Sequence, residues 1–254
     1  MNDARTVSAS PSQREPGLGG QTVVVIGGSA GIGLETARLA RSEGAGVIIT
    51  GRDGERLQRA ALEVGAISTA TFDVNERGLL ERFFAEASTP IDHVMVTAGG
   101  PHYGRLLEMD LTQAESALSD HLMLMLRVAR GAVGKVRPSG TLLFMGGTGG
   151  RHPRIGAGGV STVSAALPAL TANLALELAP IRISLIAAGF VDTPLSASLL
   201  GDDLEARRDQ LRATLPIGRV VGPDDVAALA VQIMMNTALT GATFDIDGGQ
   251  QFVA

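Results

Sequence analysis

Short β-branched runs alternate with longer helical patterns from Thr22 to the end of this chain. The seven candidate strands are Thr22–Ile26, Val47–Thr50, Thr69–Phe72, His93–Val96, Thr141–Met145, Ser184–Ala187 and Thr243–Ile246. Most are continuous apolar runs, which is typical of strands covered by helices on both faces. The helical patterns between them are Ile32–Glu43, Asp53–Glu63, Glu76–Ala87, Thr112–Val133, Val160–Leu178, Ser196–Ala213 and Pro223–Met235. This alternation predicts an α/β fold, with a single doubly wound parallel sheet of about seven strands and helices on both faces.

The ends of the chain and its linkers predict one domain. Residues 1–20 are polar and rich in Ser, Pro and Gly without an apolar segment, so they are expected to form a flexible N-terminal arm rather than a signal peptide. No linker or repeat follows Gly20, so residues 21–254 are predicted to form a single domain. No run approaches the roughly 18 consecutive apolar residues of a membrane span, and no membrane association is expected.

Composition excludes several classes of site. The chain has no cysteine, which rules out disulfides, thiolate metal sites and a cysteine nucleophile and is compatible with a cytoplasmic protein. No metal site is predicted. The net charge is −5 and the arginines are scattered, so no nucleic-acid partner is expected.

A glycine-rich turn, IGGSAGIG from Ile26 to Gly33, joins the first strand to the first helix. Glycine there allows a tight turn and lets backbone N–H groups approach a pyrophosphate at the helix N-terminus. The alternative is a purely structural tight turn. Its place at the start of the alternating pattern favours dinucleotide binding, and hence a Rossmann domain over residues 21–254 that includes a substrate loop.

The spacing of this turn resembles the short-chain dehydrogenase/reductase family. Further elements similar to the family's follow in order: Asp73-Val74, Thr97-Ala98-Gly99, AGFVDTP at Ala188–Pro194, GRVVGPDDVA at Gly218–Ala227, and Asp247-Gly248-Gly249. Ile26, Thr97 and Ala188 depart from the family's Thr, Asn and Pro. The resemblance implies an oxidoreductase whose cofactor is bound by Gly27, Ser29, Gly31, Ile32, Gly33, Asp73, Val74, Ala98, Gly99, Gly189, Val191 and Thr193.

The end of the second strand predicts which nicotinamide cofactor binds. NAD-binding relatives place a carboxylate there for the ribose 2′-hydroxyl, whereas this chain has Gly51 followed by Arg52. A guanidinium suits a 2′-phosphate, so NADP(H) is expected to bind more tightly than NAD(H). Alternatively, Arg52 is a solvated surface charge. Asp53 better fits the N-cap of the next helix than a ribose ligand.

The family's proton-transfer residues are missing. Aligned on Ala165-Ala166-Leu167 and Leu176–Pro180, the usual Tyr, Lys and Ser are replaced by Val160, Ser164 and Gly147, and His121 stands in place of an Asn. The chain has one tyrosine and one lysine, far apart, so no Tyr-x-x-x-Lys exists in any register. Pro168 lies one turn further on and predicts either a bent helix or one whose regular part starts there.

Substitute proton donors are few, and each has a structural alternative. His102, Tyr103 and His152 are candidate acids, with packing or solvated loop positions as the alternative. Arg151 and Arg154 are candidate anion contacts or solvated charges. His121 on an apolar helix is more often a hydrogen-bonded core residue than a catalyst.

Two functions remain open from the sequence. One is an NADP(H)-binding protein with very weak or absent ketone reduction, acting as a sensor or silent partner and needing no small-molecule substrate. The other is an active reductase that uses a non-standard acid or takes an imine or activated alkene. The family resemblance also implies a homo-oligomer, a tetramer or dimer, through Thr112–Val133 and Val160–Leu178.

Overall fold

Seven parallel strands form one sheet in the computed structural model, which describes residues 17–76, 78–87 and 90–253. The strands are β1 (Thr22–Ile26), β2 (Gly46–Gly51), β3 (Ser68–Thr71), β4 (Ile91–Val96), β5 (Val136–Gly147), β6 (Arg182–Ala188) and β7 (Thr243–Ile246). Their order across the sheet is β3-β2-β1-β4-β5-β6-β7. The predicted doubly wound parallel sheet is therefore confirmed.

Helices cover both faces of the sheet. They are α1 (Gly31–Ser42), α2 (Gly54–Val64), α3 (Leu79–Glu86), α4 (Leu111–Ala132), α5 (Gly158–Glu177), α6 (Pro194–Leu200), α7 (Leu204–Thr214) and α8 (Pro223–Met235). Along β1, Val24 and Ile26 pack in the core under α3, α4 and α5, whereas Val23 and Val25 pack under α1, α2 and α8. This double burial explains why most of the central strands contain long apolar runs.

The segment predicted as one helix, Ser196–Ala213, is instead two helices separated by a 3₁₀ turn at Gly201–Asp203. Gly201 has φ of +53°, a left-handed value that glycine tolerates and that ends α6. The helix also begins earlier than predicted, because Thr193 caps it and Pro194 occupies its first position.

The predicted N-terminal arm lies mostly outside the described residues, which begin at Gly17. Gly17–Gly20 form a turn, and the Leu18 side chain is fully buried against the α1 and α8 layer. The Leu18 N–H donates to the Glu43 carbonyl at 2.9 Å. The packed chain therefore includes Leu18, two residues before the boundary expected at Gly20.

Helix α5 runs without a break through Pro168. The alternative in which its regular part starts at that proline is wrong, since the helix begins at Gly158. Pro168 is exposed and has no N–H, so the Ser164 carbonyl loses its helical hydrogen bond. By length and composition only, α5 could cross a membrane. Val163 and Leu167, on one of its faces, are buried in the core of this domain.

Candidate functional site

The glycine turn after β1 is packed too closely for side chains. A Cβ added at Gly27 would lie 2.7 Å from the Ala98 nitrogen, and one at Gly33 would lie 2.5 Å from the Thr97 hydroxyl oxygen. Both distances are shorter than side chains allow. The Thr97 hydroxyl donates to the Gly27 carbonyl at 3.1 Å, so the segment after β4 braces the turn after β1. Thr97, which stands where the family has an Asn, thus makes a structural hydrogen bond to the glycine turn.

The first turn of α1 leaves its backbone donors to a ligand. Ala30 caps this helix without a side-chain hydrogen bond, and no acidic residue lies in the first turn. The N–H groups at Gly31, Ile32 and Gly33 therefore have no side-chain acceptor within the described part of the chain, an arrangement suited to phosphate oxygens.

Thr193 lies across from this turn. A Cβ at Gly31 would be 3.4 Å from both the Cβ and the Cγ2 of Thr193. Thr193 is itself fixed at the start of α6, where its N–H and that of Ser196 are bonded reciprocally to the two hydroxyl groups. The structure therefore brings the glycine turn and the Thr193 loop together, although about 160 residues separate them in the sequence.

The loop that carries Gly189 and Val191 is fixed from the C-terminal segment. A Cβ at Gly189 would lie 2.7 Å from the Asp247 Cβ. The Phe190 N–H donates to the Gln250 side chain at 2.8 Å, and Val191 is buried and bridges to Val221. Asp247 and the neighbouring Gln250 thus hold the Thr193 loop in position.

The end of β2 carries an exposed positive charge. Arg52 is exposed and forms no ion pair with the described residues. Gly51 beside it is partly buried, and a Cβ there would be 3.0 Å from the Ser29 hydroxyl. The Asp53 carboxylate accepts from the Arg56 N–H at 3.0 Å, so the predicted N-cap of α2 is confirmed. The Asp53 carboxylate is therefore engaged in capping α2.

The remaining predicted cofactor residues follow β3 and β4. The Asp73 carboxylate accepts from the Asn75 N–H at 2.8 Å, which shapes the turn beside the buried Val74. Helix α3 begins at Leu79 rather than at Glu76, because Gly78 at its N-cap has φ of +83°, which lies outside the helical region. Ala98 donates its N–H to the Ile26 carbonyl at 3.0 Å, and Gly99 has φ of +97°. All these positions lie at the carboxyl edge of the sheet, the ligand-binding edge of open α/β folds.

The three positions predicted to replace the family's Ser, Tyr and Lys lie together at the same edge. A Cβ at Gly147 would be 3.4 Å from the Ser164 hydroxyl oxygen. Val160 lies one turn before Ser164 on α5, with its Cγ1 3.8 Å from where a Gly149 Cβ would be. The Ser164 side chain therefore points a hydroxyl at the space that a serine at Gly147 would fill.

His121 is held by the backbone of β5. Its Nε2–H donates to the Met145 carbonyl at 2.8 Å, which fixes the tautomer and leaves Nδ1 as an acceptor. A Cβ at Gly99 would lie 3.6 Å from that Nδ1. Burial lowers the pKa of His121, so the ring is neutral at pH 7 and cannot donate from Nδ1. The expectation of a hydrogen-bonded core histidine fits this geometry.

Of the candidate acids, the His102 side chain lies against a carboxylate. Its Nε2 is 3.6 Å from the Asp120 carboxylate, and both side chains are about half exposed. The His102 carbonyl oxygen would be 3.5 Å from a Cβ at Gly159, the residue before Val160. Tyr103 is half exposed and makes no hydrogen bond within the described residues.

Two of the three candidates in the loop before α5, His152 and Arg151, contact the C-terminal segment. The His152 Nε2–H donates to the Gln251 carbonyl at 2.7 Å. Arg151 makes a bidentate ion pair with Asp245 at 2.6 and 2.7 Å and also contacts the Gln251 side chain. This carboxylate neutralises Arg151, which counts against its predicted role as an anion contact.

The sequence does not predict three ion-pair partners in this region: Asp120 beside His102, Asp245 beside Arg151, and Asp192, which binds Arg208 of α7 at 2.6 Å.

A separate surface cavity of about 670 Å³ lies at the starts of β5 and β6, at the opposite edge of the sheet. Its lining includes Lys135–Pro138 and Glu177–Ile181. Within residues 17–76, 78–87 and 90–253, no three His, Asp or Glu side chains are grouped to hold a metal ion.

Comparison with known proteins agrees with this architecture. The family model described as Enoyl-(Acyl carrier protein) reductase matches residues 27–251. A short-chain dehydrogenase/reductase of Stachybotrys chlorohalonatus is 30% identical over 92% of this chain and 98% of the relative.

Solved structures show the same likeness. The MalC reductase/Diels-Alderase of Malbranchea aurantiaca superposes with a TM-score of 0.86 and 25% identity over 94% of this chain and 99% of that one. A variant of actinorhodin polyketide ketoreductase, solved with NADPH, has a TM-score of 0.81 and 27% identity over 91% and 97% of the two chains. The chain therefore belongs to the short-chain dehydrogenase/reductase family, whose members are oxidoreductases that bind nicotinamide cofactors.

Proposed function

We propose that this protein binds NADP(H) at the carboxyl edge of the sheet and that its reduction of ordinary ketones is very weak or absent. One observation carries the proposal. The glycine turn and the Thr193 loop keep a side-chain-free phosphate cradle, while Gly147, Val160 and Ser164 supply no acid beside it. Binding and proton transfer depend on different residues, so one is retained without the other.

The residues present fit the cofactor. A Cβ at Gly27 or Gly33 would collide with the segment after β4, and the first turn of α1 has no side-chain cap. The pyrophosphate would lie on that turn. The other positions that would hold the cofactor are Ser29, Arg52, Asp73, Val74, Ala98, Gly99, Gly189, Val191 and Thr193. When bound, the cofactor supplies a hydride for transfer to the substrate.

The missing acid limits ketone chemistry. Hydride delivery to a ketone creates an alkoxide, which needs a proton and a hydrogen-bond donor. The Ser164 hydroxyl, directed at the Gly147 position, can donate one hydrogen bond there. No neighbouring base or cation among the described residues activates it, and Val160 offers only an apolar surface. A positioned general acid contributes about 10²–10⁴-fold, so its loss makes ketone turnover slow.

The second candidate function is an active reductase with different proton chemistry, and the His102–Asp120 pair favours it. The His102 Nε2 lies 3.6 Å from the Asp120 carboxylate, and the His102 backbone lies against the residue before Val160. His102 is thus better placed than His152 or Tyr103 to serve an imine or activated alkene, where less charge develops at the hydride-accepting centre. The reductase name of the MalC neighbour is compatible with redox chemistry on this scaffold.

Fluorescence titration with NADPH and NADH tests the cofactor proposal. We expect NADPH to bind at least about tenfold more tightly, because the Arg52 guanidinium is free to pair with the 2′-phosphate. Arg52→Asp should remove or reverse the preference, whereas Arg56→Asp, an exposed change on the neighbouring helix, should not. Equal affinity for both cofactors in the wild-type protein would rule out the assignment of Arg52.

Turnover separates the two candidate functions. NADPH oxidation is followed with panels of ketones, imines and enones. Reduction of an imine or enone that His102→Ala abolishes would establish the second function. Binding of NADPH without oxidation in any panel supports the first.

We also propose a cytoplasmic homo-oligomer formed through α4 and α5. Both helices expose large apolar side chains, since Leu111 and Leu176 are more than 80% exposed and Met123 is half exposed. Sedimentation velocity should give a dimer or tetramer, and Met123→Asp with Leu176→Asp should shift it toward monomer. A monomeric wild-type protein at micromolar concentration would contradict this arrangement.

A further inference from the structure

One short turn near the end of the chain contacts two loops that border the proposed site. This C-terminal turn is the 3₁₀ helix Gln250–Phe252. The Gln250 side chain accepts from the Phe190 N–H at 2.8 Å, in the loop 189–193 that leads to Thr193. The next residue, Gln251, accepts through its backbone carbonyl from the His152 Nε2–H at 2.7 Å. Two consecutive residues thus contact opposite sides of the cleft.

The loop 148–157 is attached to this turn through a network of paired groups. Arg151 makes its bidentate ion pair with Asp245 at 2.6 and 2.7 Å. The Gln251 side chain joins the pair, because its oxygen contacts Arg151 and its Nε2 donates to the Asp245 carboxylate at 3.3 Å. A bidentate pair of this kind fixes the orientation of both side chains. The loop therefore follows any displacement of the C-terminal turn.

The same loop packs against the start of α5. The Ser161 hydroxyl donates to the Gly149 carbonyl at 3.0 Å. A Cβ added at Gly150 would lie 2.9 Å from the Ala165 nitrogen, so the loop backbone lies directly on the helix. These are the turns of α5 that carry Val160. The position of the loop therefore shapes the substrate side of the cleft.

The C-terminal turn is held internally by one buried carboxylate. Asp247 is 5% exposed and accepts from the Gly249 N–H at 2.8 Å and the Gln251 N–H at 3.0 Å. The Gln250 N–H donates to the Asp247 carbonyl at 3.0 Å. Because these bonds tie Gln250 and Gln251 to the same residue, a displacement of one moves the other.

We propose that the C-terminal turn couples the two loops, and that Gln250, Gln251 and Arg151 are positioning residues. They set the substrate side of the cleft against the cofactor side. NADP(H) bound at the loop 189–193 orders the loop 148–157, and this effect passes through the turn. A coupling between two sites acts equally in both directions. The role of NADP(H) rests on the proposed function, whereas the coupling of the loops does not.

Hydrogen–deuterium exchange of the full chain without cofactor tests the coupling. Gln250→Ala removes the contact with the loop 189–193, and Arg151→Gln removes the bidentate pair that holds the loop 148–157. Each variant should speed exchange at least about threefold in both loops, because local opening of one loop releases the other. Exchange in β4 reports on global stability and should not change.

The matched control is the same substitution in the same loop. Arg154 lies three residues after Arg151, is exposed, and forms no ion pair with any residue that the structure describes. Arg154→Gln should therefore leave exchange in both loops as in the wild-type protein. Asp245→Asn, at the other end of the pair, should act as Arg151→Gln does, which keeps the test valid if one variant folds poorly.

The coupling is overturned if each contact serves only its own loop. In that case Gln250→Ala would speed exchange in the loop 189–193 alone, and Arg151→Gln in the loop 148–157 alone. Unchanged exchange in both variants would overturn it equally.

Repeating the measurement with saturating NADPH tests the role of the cofactor. NADPH should slow exchange in the loop 148–157 at least about threefold in the wild-type protein but not in Arg151→Gln. Both proteins should show the same slowing in the loop 189–193. Equal protection of the loop 148–157 in both proteins would show that the cofactor does not act through the turn. Failure of NADPH to bind would refute the proposed function, while the cofactor-free comparison still decides the coupling.

Discussion

A variant that combines Gly147→Ser, Val160→Tyr and Ser164→Lys is expected to reduce simple ketones with NADPH at least about 100-fold faster than the wild-type protein. The three side chains restore a proton donor, a cation that lowers its pKa and a donor to the carbonyl oxygen. Positions 160 and 164 are four residues apart on α5, so Tyr and Lys share one helix face. NADPH oxidation with a small cyclic ketone measures the gain.

The structure has room at positions 147 and 160. A Cβ added at Gly147 would lie 3.6 Å from the Ala188 carbonyl oxygen and 3.9 Å from the Gly149 nitrogen, which are ordinary contacts, and its nearest neighbour is the Ser164 hydroxyl that the variant replaces. Val160 is partly exposed, so a ring there can extend into the cleft. Helix α5 is continuous on both sides of Pro168, so the proline does not displace the first turns.

Two controls identify the source of the gain. Gly147→Ser alone should give little activity, because it supplies no proton. Thr162→Tyr in place of Val160→Tyr adds the same ring to an exposed position about 200° around the helix and should also fail. A triple variant that binds NADPH normally yet matches the wild-type rate would show that the loop Thr148–Ala157 has remodelled the cleft beyond these three residues.

The fold could be predicted because its determinants are local. Strands buried on both faces contain long apolar runs that are visible in the sequence, and β1 and β7 begin and end where the sequence places them. The break at Gly201 is not predicted, because a single glycine inside a helical pattern does not reveal its φ. The longer β5 is not predicted because Pro138 to Gly140 look like a turn, whereas they extend the exposed start of this strand.

The site could be predicted only where it is built from contiguous motifs. The glycine turn, Thr97-Ala98-Gly99 and the Thr193 loop are such motifs, and the structure brings them to one edge. Pairs that join distant segments leave no local pattern. Arg151 and Asp245 are 94 residues apart, and Arg154 differs from Arg151 only in what the fold places beside it. Which arginine remains available to a ligand is therefore a property of the folded chain.

Replacing Arg182 by Met is expected to lower the free energy of unfolding by about 3 kcal/mol or more. Arg182 opens β6, is 6% exposed and donates to five carbonyl groups, those of Ser139, Ile233, Met234, Asn236 and Leu239. Ile233 and Met234 belong to the last turn of α8, whose carbonyls have no helical donors. The methionine fills the space but leaves these oxygens buried without partners. Urea denaturation measures the loss.

The change should also alter the response to acid. In register across three strands, His93 pairs with Thr141 and Thr141 with Arg182. Burial, and then repulsion from Arg182, lowers the pKa of His93 to about 4, below its ordinary 6.5. Between these values the unfolded chain binds more protons, so wild-type stability falls as pH drops from about 6.5 to 4, by up to about 3 kcal/mol.

Without the repulsion the His93 pKa rises toward its ordinary value, and the loss on acidification becomes smaller. Arg212→Met, which removes an exposed pair with Asp209, is the matched control and should change stability by about 0.5 kcal/mol or less, with no change in the pH profile. If Arg182→Met were as stable as this control, the carbonyl contacts would not be what anchors α8 to β6. A pH profile unchanged from the wild-type protein would instead separate Arg182 from the titration of His93.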